Sequence, residues 1–125
     1  MSSGLAGVHE MLGGIVVAAL IVVAVLAAIQ AAGGNERLTR IASFAAAGLL
    51  VLQYVIGFVL MGSGLRNSNA HYLIALLALV PIALQHSVAK RYAAKTRGVA
   101  ILIAAMAAAF LSVIAYATGM SGASG

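Results

Sequence analysis

Residues 8–32 read VHEMLGGIVVAALIVVAVLAAIQAA, a long apolar run that carries a single charged side chain, Glu10. Three further apolar runs follow, at 38–62, 70–89 and 99–118. Each has about 20 residues or more, the length an α-helix needs to cross roughly 30 Å of hydrocarbon. Backbone amides inside lipid must pair within their own segment, so each run is predicted to be a transmembrane helix. The chain is therefore predicted to be all-α, with residues 1–125 forming one integral membrane four-helix bundle.

The composition agrees with a bilayer as the main solvent. Hydrophobic residues make up 64% of the chain and charged residues 7%, whereas soluble domains carry about 25% charged residues. The net charge is +5, but the cations lie between apolar runs and form no continuous face, so no nucleic-acid partner is expected. Cysteine is absent, which excludes disulfides, thiolate metal sites and thiol catalysis. The Gly- and Ser-rich segment 119–125 is predicted to be a flexible tail.

The positive charges predict an orientation. Six of the seven lie in or beside the first and third connections: Arg37, Arg40, Lys90, Arg91, Lys95 and Arg97. Arg66 alone lies in the second connection. The positive-inside rule then places both termini outside, in a multi-pass protein of the inner (cytoplasmic) membrane.

Local signals predict where helices end and bend. Gly33, Gly34 and Asn35 are expected to end the first helix, Ser68 or Asn69 to cap the third, and Thr96 to cap the fourth. Pro81 removes a backbone donor midway along the third helix and predicts a kink there. A ladder of small side chains on the fourth helix predicts close helix packing: Ala100, Ala104, Ala108 and Ser112.

Histidine is expensive inside a membrane and therefore suggests function. His9 lies near the outer start of the first predicted helix, and His71 near the outer start of the third, so both lie at similar depth. The first and third helices of a bundle lie diagonal or adjacent across the core, so the two imidazoles are expected to face one planar cofactor. Bis-histidine ligation of haem iron needs this geometry.

Small residues beside this pair leave room for a macrocycle. Gly13 lies one turn below His9, and Ala75 lies one turn below His71. Gly57 on the second helix allows close backbone approach, which ordinary helix packing explains nearly as well. No Cys-x-x-Cys-His motif is present, so the haem is predicted to be noncovalent haem b.

Plainer interpretations of these residues stay open. His9 and His71 can face lipid headgroups, or pair with Glu10, Asn69 or water. His86 lies one turn from the inner end of the third helix, where snorkelling to the interface is easy, and is expected to be interfacial. No nucleophile–base–acid set, phosphate loop or zinc spacing supports hydrolytic chemistry.

The run LQYVIGFVLMGSGLRNSNAHYLIALLAL at 52–79 resembles the haem A synthase family. Each half of that family has a helix with Gln and Gly before a loop, followed by a helix that opens with histidine. His9 occupies the place of the family's other histidine, so the resemblance implies haem held between His9 and His71 on the outer side. Membrane cytochromes of the b561 kind are similar in general plan. The chain has the size of one half only, and Glu10 and Ala6 replace the family's Arg and upstream acid, so haem A synthesis is not implied.

The sequence thus predicts a membrane b-type cytochrome with one haem on His9 and His71, and it favours electron transfer or haem holding over a stand-alone enzyme. One haem near one surface reaches half of the membrane, so a redox partner, a larger membrane complex or a homodimer is expected. The alternative is a cofactor-free accessory or anchor subunit of a membrane complex. A transporter or channel, and chlorophyll ligation by single histidines, also stay open.

Overall fold

In a computed structural model of the protein, which describes residues 2–87 and 91–123, the predicted spans are helical. The helices are α1 (Ser2–Ala31), α2 (Glu36–Gly62), α3 (Asn69–Leu77), α4 (Leu79–Ser87) and α5 (Ala94–Ala123). Helices α3 and α4 together form the third span. Within residues 2–87 and 91–123, four helical stretches are long and apolar enough to cross a membrane: Gly4–Ala31, Glu36–Gly62, Asn69–Ser87 and Ala94–Met120. The prediction of an all-α, multi-pass membrane protein is confirmed.

The first two connections have the predicted chemistry. Gly33 follows α1 with φ +103°, a left-handed conformation that glycine adopts without strain. The Asn35 side chain caps α2 by accepting a hydrogen bond from the Arg37 backbone N–H at 2.8 Å. Ser68 caps α3, and its Oγ accepts from the backbone N–H of His71 at 3.2 Å.

The last helix departs from prediction at both ends. It begins at Ala94, before Thr96, because the Arg97 backbone N–H already donates to the Ala93 carbonyl oxygen at 2.7 Å. At the other end it continues to Ala123, through most of the segment predicted to be a flexible tail. Asn67 Nδ2 donates to the Gly119 carbonyl oxygen at 2.9 Å and ties this part of α5 to the second connection. Residues 124–125 lie outside the described residues.

Proline interrupts the third span, as predicted. The helix breaks at Ala78, between α3 and α4, three residues before Pro81. A proline has no N–H to donate to the carbonyl four residues earlier, so the turn that precedes it loses one hydrogen bond. Pro81 itself is buried against the rest of the bundle.

Helix α1 lies at the centre of the arrangement, packed along both α2 and α5, while α3 and α4 pack along α5. The first and third spans therefore lie diagonally, and contacts between α2 and the third span are few in the described part of the chain. The core is aliphatic and includes Leu20 and Val23 of α1, Leu50 of α2 and Ala105 of α5. We call the end that carries Arg37, Arg40, Lys95 and Arg97 the basic end, and the opposite end, with His9 and His71, the histidine end.

The small-residue packing of α5 is rotated from the predicted ladder. Ala108 is fully buried, whereas Ala100, Ala104 and Ser112 lie half-buried at the flank. The buried stripe instead runs along one face of the helix through Gly98, Ile101, Ala105, Ala108 and Ala115. A Cβ on Gly98 would lie 2.6 Å from the backbone nitrogen of Ala31, so α1 and α5 are in direct backbone contact near the basic end.

Candidate cofactor site

The structure brings His9 of α1 and His71 of α3 together at the histidine end. Their ring centres lie 6.4 Å apart, and the ring planes are inclined at 77°. Both side chains are half-buried. The similar depth inferred from the sequence therefore corresponds to direct proximity in the fold, across the diagonal of the bundle.

A cavity of about 510 Å³ surrounds this pair. It lies where α2 and α3 diverge, and its walls come from α1, α2, α3 and α5. Gly13, Gly57 and Ala75, which the sequence singled out, all line it. Most of the remaining walls are apolar, with Leu50, Phe58, Leu60, Met61 and Leu76 among them. The cavity can hold a large apolar ligand beside the two imidazoles.

The His71 imidazole is held by the backbone of α5. Its Nδ1 lies 2.7 Å from the carbonyl oxygen of Ala115. A carbonyl accepts only, so Nδ1 carries the proton and donates, which leaves a lone pair on Nε2. Histidines that bind metals are oriented in this way, with one ring nitrogen donating to a carbonyl or carboxylate.

The His9 imidazole is positioned by Gln53 of α2. Gln53 Nε2 donates to the backbone carbonyl oxygen of His9 at 2.9 Å and lies 3.5 Å from His9 Nε2. His9 Nδ1 and Gln53 Oε1 are buried, and neither has a hydrogen-bond partner within residues 2–87 and 91–123. A buried polar atom without a partner is unusual in a folded protein and is a common feature of ligand sites.

Three glycines make room for the site. A Cβ on Gly57 would lie 3.1 Å from His9 Cε1, and one on Gly119 would lie 3.0 Å from His71 Cε1 and Nδ1. A Cβ on Gly13 would lie 3.1 Å from Gln53 Nε2. The sequence predicted that Gly57 allows close backbone approach, and the group that approaches the α2 backbone there is the His9 imidazole. Gly119 was missed in the sequence because it falls in the predicted tail.

Tyr54 and Tyr72 line the cavity and fix the backbone beside it. The Tyr54 hydroxyl donates to the carbonyl oxygen of Ala75 and ties α2 to α3. The Tyr72 hydroxyl accepts from the backbone N–H of Asn67 at 2.6 Å, which fixes the connection before α3. The partner of Tyr54 is a backbone group, which no sequence pattern reveals.

Glu10 and His86 do not contribute to the His9–His71 pair. Glu10 borders the cavity but is exposed, as expected for a side chain that meets water. His86 lies at the basic end, against the Phe44 ring at a centre-to-centre distance of 5.0 Å. The sequence predicted that His86 reaches the interface, whereas in the structure its Nε2 is buried.

No group of three or more His, Cys, Asp or Glu side chains that could hold a metal ion occurs in the described parts of the chain. The site therefore offers two imidazoles and an apolar cavity, an arrangement suited to a metal that brings its other ligands with it. Comparison with protein-family models, curated proteins and solved structures finds no match to the chain.

Proposed function

We propose that the protein is a membrane b-type cytochrome that holds one noncovalent haem b between His9 and His71. The observation that carries this proposal is the 6.4 Å separation of the two ring centres. A metal–imidazole bond of about 2.0–2.1 Å, plus roughly 1.1 Å from nitrogen to ring centre, puts each ring centre about 3.2 Å from the metal. His9 and His71 would together hold one iron, since a metal bound to both imidazoles would put their ring centres at most about 6.4 Å apart.

The surroundings of the histidines support the same ligand. His71 has its lone pair on Nε2, and His9 has a buried nitrogen that lacks a partner in residues 2–87 and 91–123. The cavity of about 510 Å³ falls in the usual range for small-molecule and cofactor sites, roughly 300–1,000 Å³. A porphyrin would supply the other ligands of the iron, so His9 and His71 would be sufficient protein ligands.

Bound haem would supply a one-electron iron couple. The protein's part would be to hold the imidazoles of His9 and His71 in place and to surround the macrocycle with apolar walls, which would tune the reduction potential. Gln53 holds the backbone at His9, and the Ala115 carbonyl orients the ring of His71. Two imidazoles beside an apolar cavity fit electron transfer or haem holding better than stand-alone catalysis.

The charge distribution supports an orientation with the basic end in the cytoplasm and both termini outside. The haem would then lie near the outer face of the inner membrane. Since the site lies at one end of the bundle, transfer to the opposite face requires a redox partner, a larger complex or a second copy of the chain.

The test is a reduced-minus-oxidised visible spectrum of the detergent-purified protein, expressed with adequate haem. We expect sharp α and β bands of a low-spin cytochrome, and we expect His9→Ala and His71→Ala each to lose them. His86→Ala is the matched control and should keep the full spectrum. A low-spin spectrum that survives in both the His9 and the His71 variant contradicts the assignment.

A second candidate function is a cofactor-free anchor subunit. The observation that favours it is the sparse packing between α2 and the third span, which leaves an apolar surface for a partner helix. A colourless protein that purifies within a larger complex supports the anchor, whereas a red monomer or dimer supports the cytochrome.

A further inference from the structure

A second cavity lies at the basic end of the bundle, away from the two paired histidines. Its volume is about 260 Å³, and its walls come from α1, α2, α4 and α5. Gln30 marks its position on α1, 21 residues after His9, which corresponds to about 32 Å along the helix axis. The two cavities are therefore separate sites.

The walls of this second cavity carry buried polar atoms without partners in the described residues. These atoms are Gln30 Oε1, Ser43 Oγ, both Gln85 amide atoms, His86 Nε2 and Arg97 Nε. Three of the side chains belong to residues almost fully buried, with 2% of Gln30, 4% of Ser43 and 5% of Gln85 exposed. Buried polar atoms are nearly always hydrogen-bonded, so a cluster of this kind indicates a polar ligand.

The orientation of Gln30 is fixed by a hydrogen bond. Its Nε2 donates to the Ala94 carbonyl oxygen at 2.9 Å, so its Oε1 faces the site as an acceptor. An acceptor of this kind needs a ligand that carries a donor. Gln85 offers both a donor and an acceptor, and the Ser43 hydroxyl can donate.

The charge of the cavity is positive. Arg97 Nη1 pairs with Glu36 Oε2 at 2.8 Å, and its Nη2 donates to the Tyr92 carbonyl oxygen at 2.9 Å, which leaves Nε. Arg40 also lines the cavity and brings a second cation. One carboxylate against two guanidinium groups leaves one positive charge for a ligand to balance.

We infer that this cavity binds a phosphoglycerol group, with its phosphate at Arg40, Arg97 and Ser43 and its hydroxyls donating to the oxygens of Gln30 and Gln85. Guanidinium groups are the preferred partners of phosphate. A phosphate diester alone has no donor for the two glutamine oxygens, whereas the glycerol hydroxyls do. The volume of the cavity, about 260 Å³, equals that of roughly nine water molecules in the liquid. A phosphoglycerol group fits into a space of this volume. The group can belong to an anionic phospholipid or to a soluble phosphoglycerol.

Calorimetric titration of the full-length protein in maltoside detergent tests this inference. The probes are dioctanoyl-phosphatidylglycerol, dioctanoyl-phosphatidylcholine, glycerol 3-phosphate and inorganic phosphate. We expect saturable binding of phosphatidylglycerol, weakened about tenfold in Gln85→Leu and in Arg40→Gln by loss of one polar contact each. Arg37→Gln is the matched control, since Arg37 lies one turn from Arg40 on α2, is exposed and does not line the cavity.

Each result has a defined meaning. Glycerol 3-phosphate binding as tightly as phosphatidylglycerol, with the same dependence on Gln85 and Arg40, supports the site and assigns it a soluble ligand. Equal binding of phosphatidylcholine or of inorganic phosphate overturns recognition of the glycerol hydroxyls. Absence of binding, or equal binding by all variants, overturns the site and leaves water as the partner of these atoms. If Gln85→Leu does not fold, Arg40→Gln still decides, because Arg40 is exposed.

Discussion

Gly57 shows how a single missing methyl group shapes the histidine end. The α2 backbone passes so close to the His9 ring that a Cβ at residue 57 would lie 3.1 Å from Cε1. This contact holds the ring on one side while Gln53 holds its backbone carbonyl. The position of His9 is therefore set by α2 as much as by α1.

Replacing Gly57 with Ala should displace the His9 ring by a few tenths of an ångström and weaken haem binding. Overpacking of this kind costs about 1 kcal/mol or more, so we expect on the order of a tenfold loss of affinity. Haem titration of the apoprotein measures it. Gly48→Ala on the same helix is the control, since its Cβ meets nothing within 4 Å, and should leave affinity unchanged. Equal affinities in the two variants contradict a role for Gly57.

The contact between α1 and α5 depends on small side chains in α5. Apart from Ile101, the buried stripe of α5 consists of small residues, and at Gly98 the two backbones touch. Membrane helices have little hydrophobic drive to associate, because lipid is as apolar as they are. Close packing of small residues therefore supplies much of the attraction between these two helices.

A Gly98→Ala substitution should open this contact, since its Cβ would lie 2.6 Å from the Ala31 nitrogen. We expect a loss of about 1–3 kcal/mol in the free energy of unfolding, measured by denaturing-detergent titration followed by circular dichroism. Gly14→Ala on α1 has open space around its Cβ and should not destabilise the protein. A Gly98→Ala protein as stable as the parent argues against the backbone contact.

Helix number and the main breaks could be predicted from the sequence because each depends on local chemistry. Apolar length gives the spans, Gly33 the first turn, and Pro81 the interruption of the third span. The extent of α5 depends on tertiary contacts, such as the bond from Asn67 to Gly119, and so was not predictable. Likewise, the spacing of small residues predicted a ladder on α5, but it could not predict which side of the helix packs against α1.

The candidate site could be predicted in part from the sequence. Matching depth indicated that His9 and His71 could meet, and the diagonal placement of their helices brings them together. The polar cavity at the basic end was not foreseen. Gln30 and Gln85 lie near the ends of two apolar runs in the sequence, and only the fold shows them buried around one space.

The proposed orientation predicts the accessibility of the connections. The chain has no cysteine, so single Ala32→Cys and Ser63→Cys variants report on the two ends, and both positions are exposed. A membrane-impermeant thiol reagent applied to intact cells should label Ser63→Cys and should label Ala32→Cys only after permeabilisation. The reverse pattern inverts the topology and moves the histidine end to the cytoplasmic side.

The position of the His9–His71 pair would also determine how reduction of the proposed haem responds to the membrane voltage. His9 lies five residues into the Gly4–Ala31 stretch, about 8 Å along the axis, so the pair occupies a shallow part of the membrane's electric field. A charge crossing the whole field gains about 2.3 kcal/mol per 100 mV, and an electron entering from the near side crosses only a fraction of it. Reduction of the proposed haem from that side would therefore depend only weakly on voltage, whereas reduction from the far side would cross most of the membrane potential.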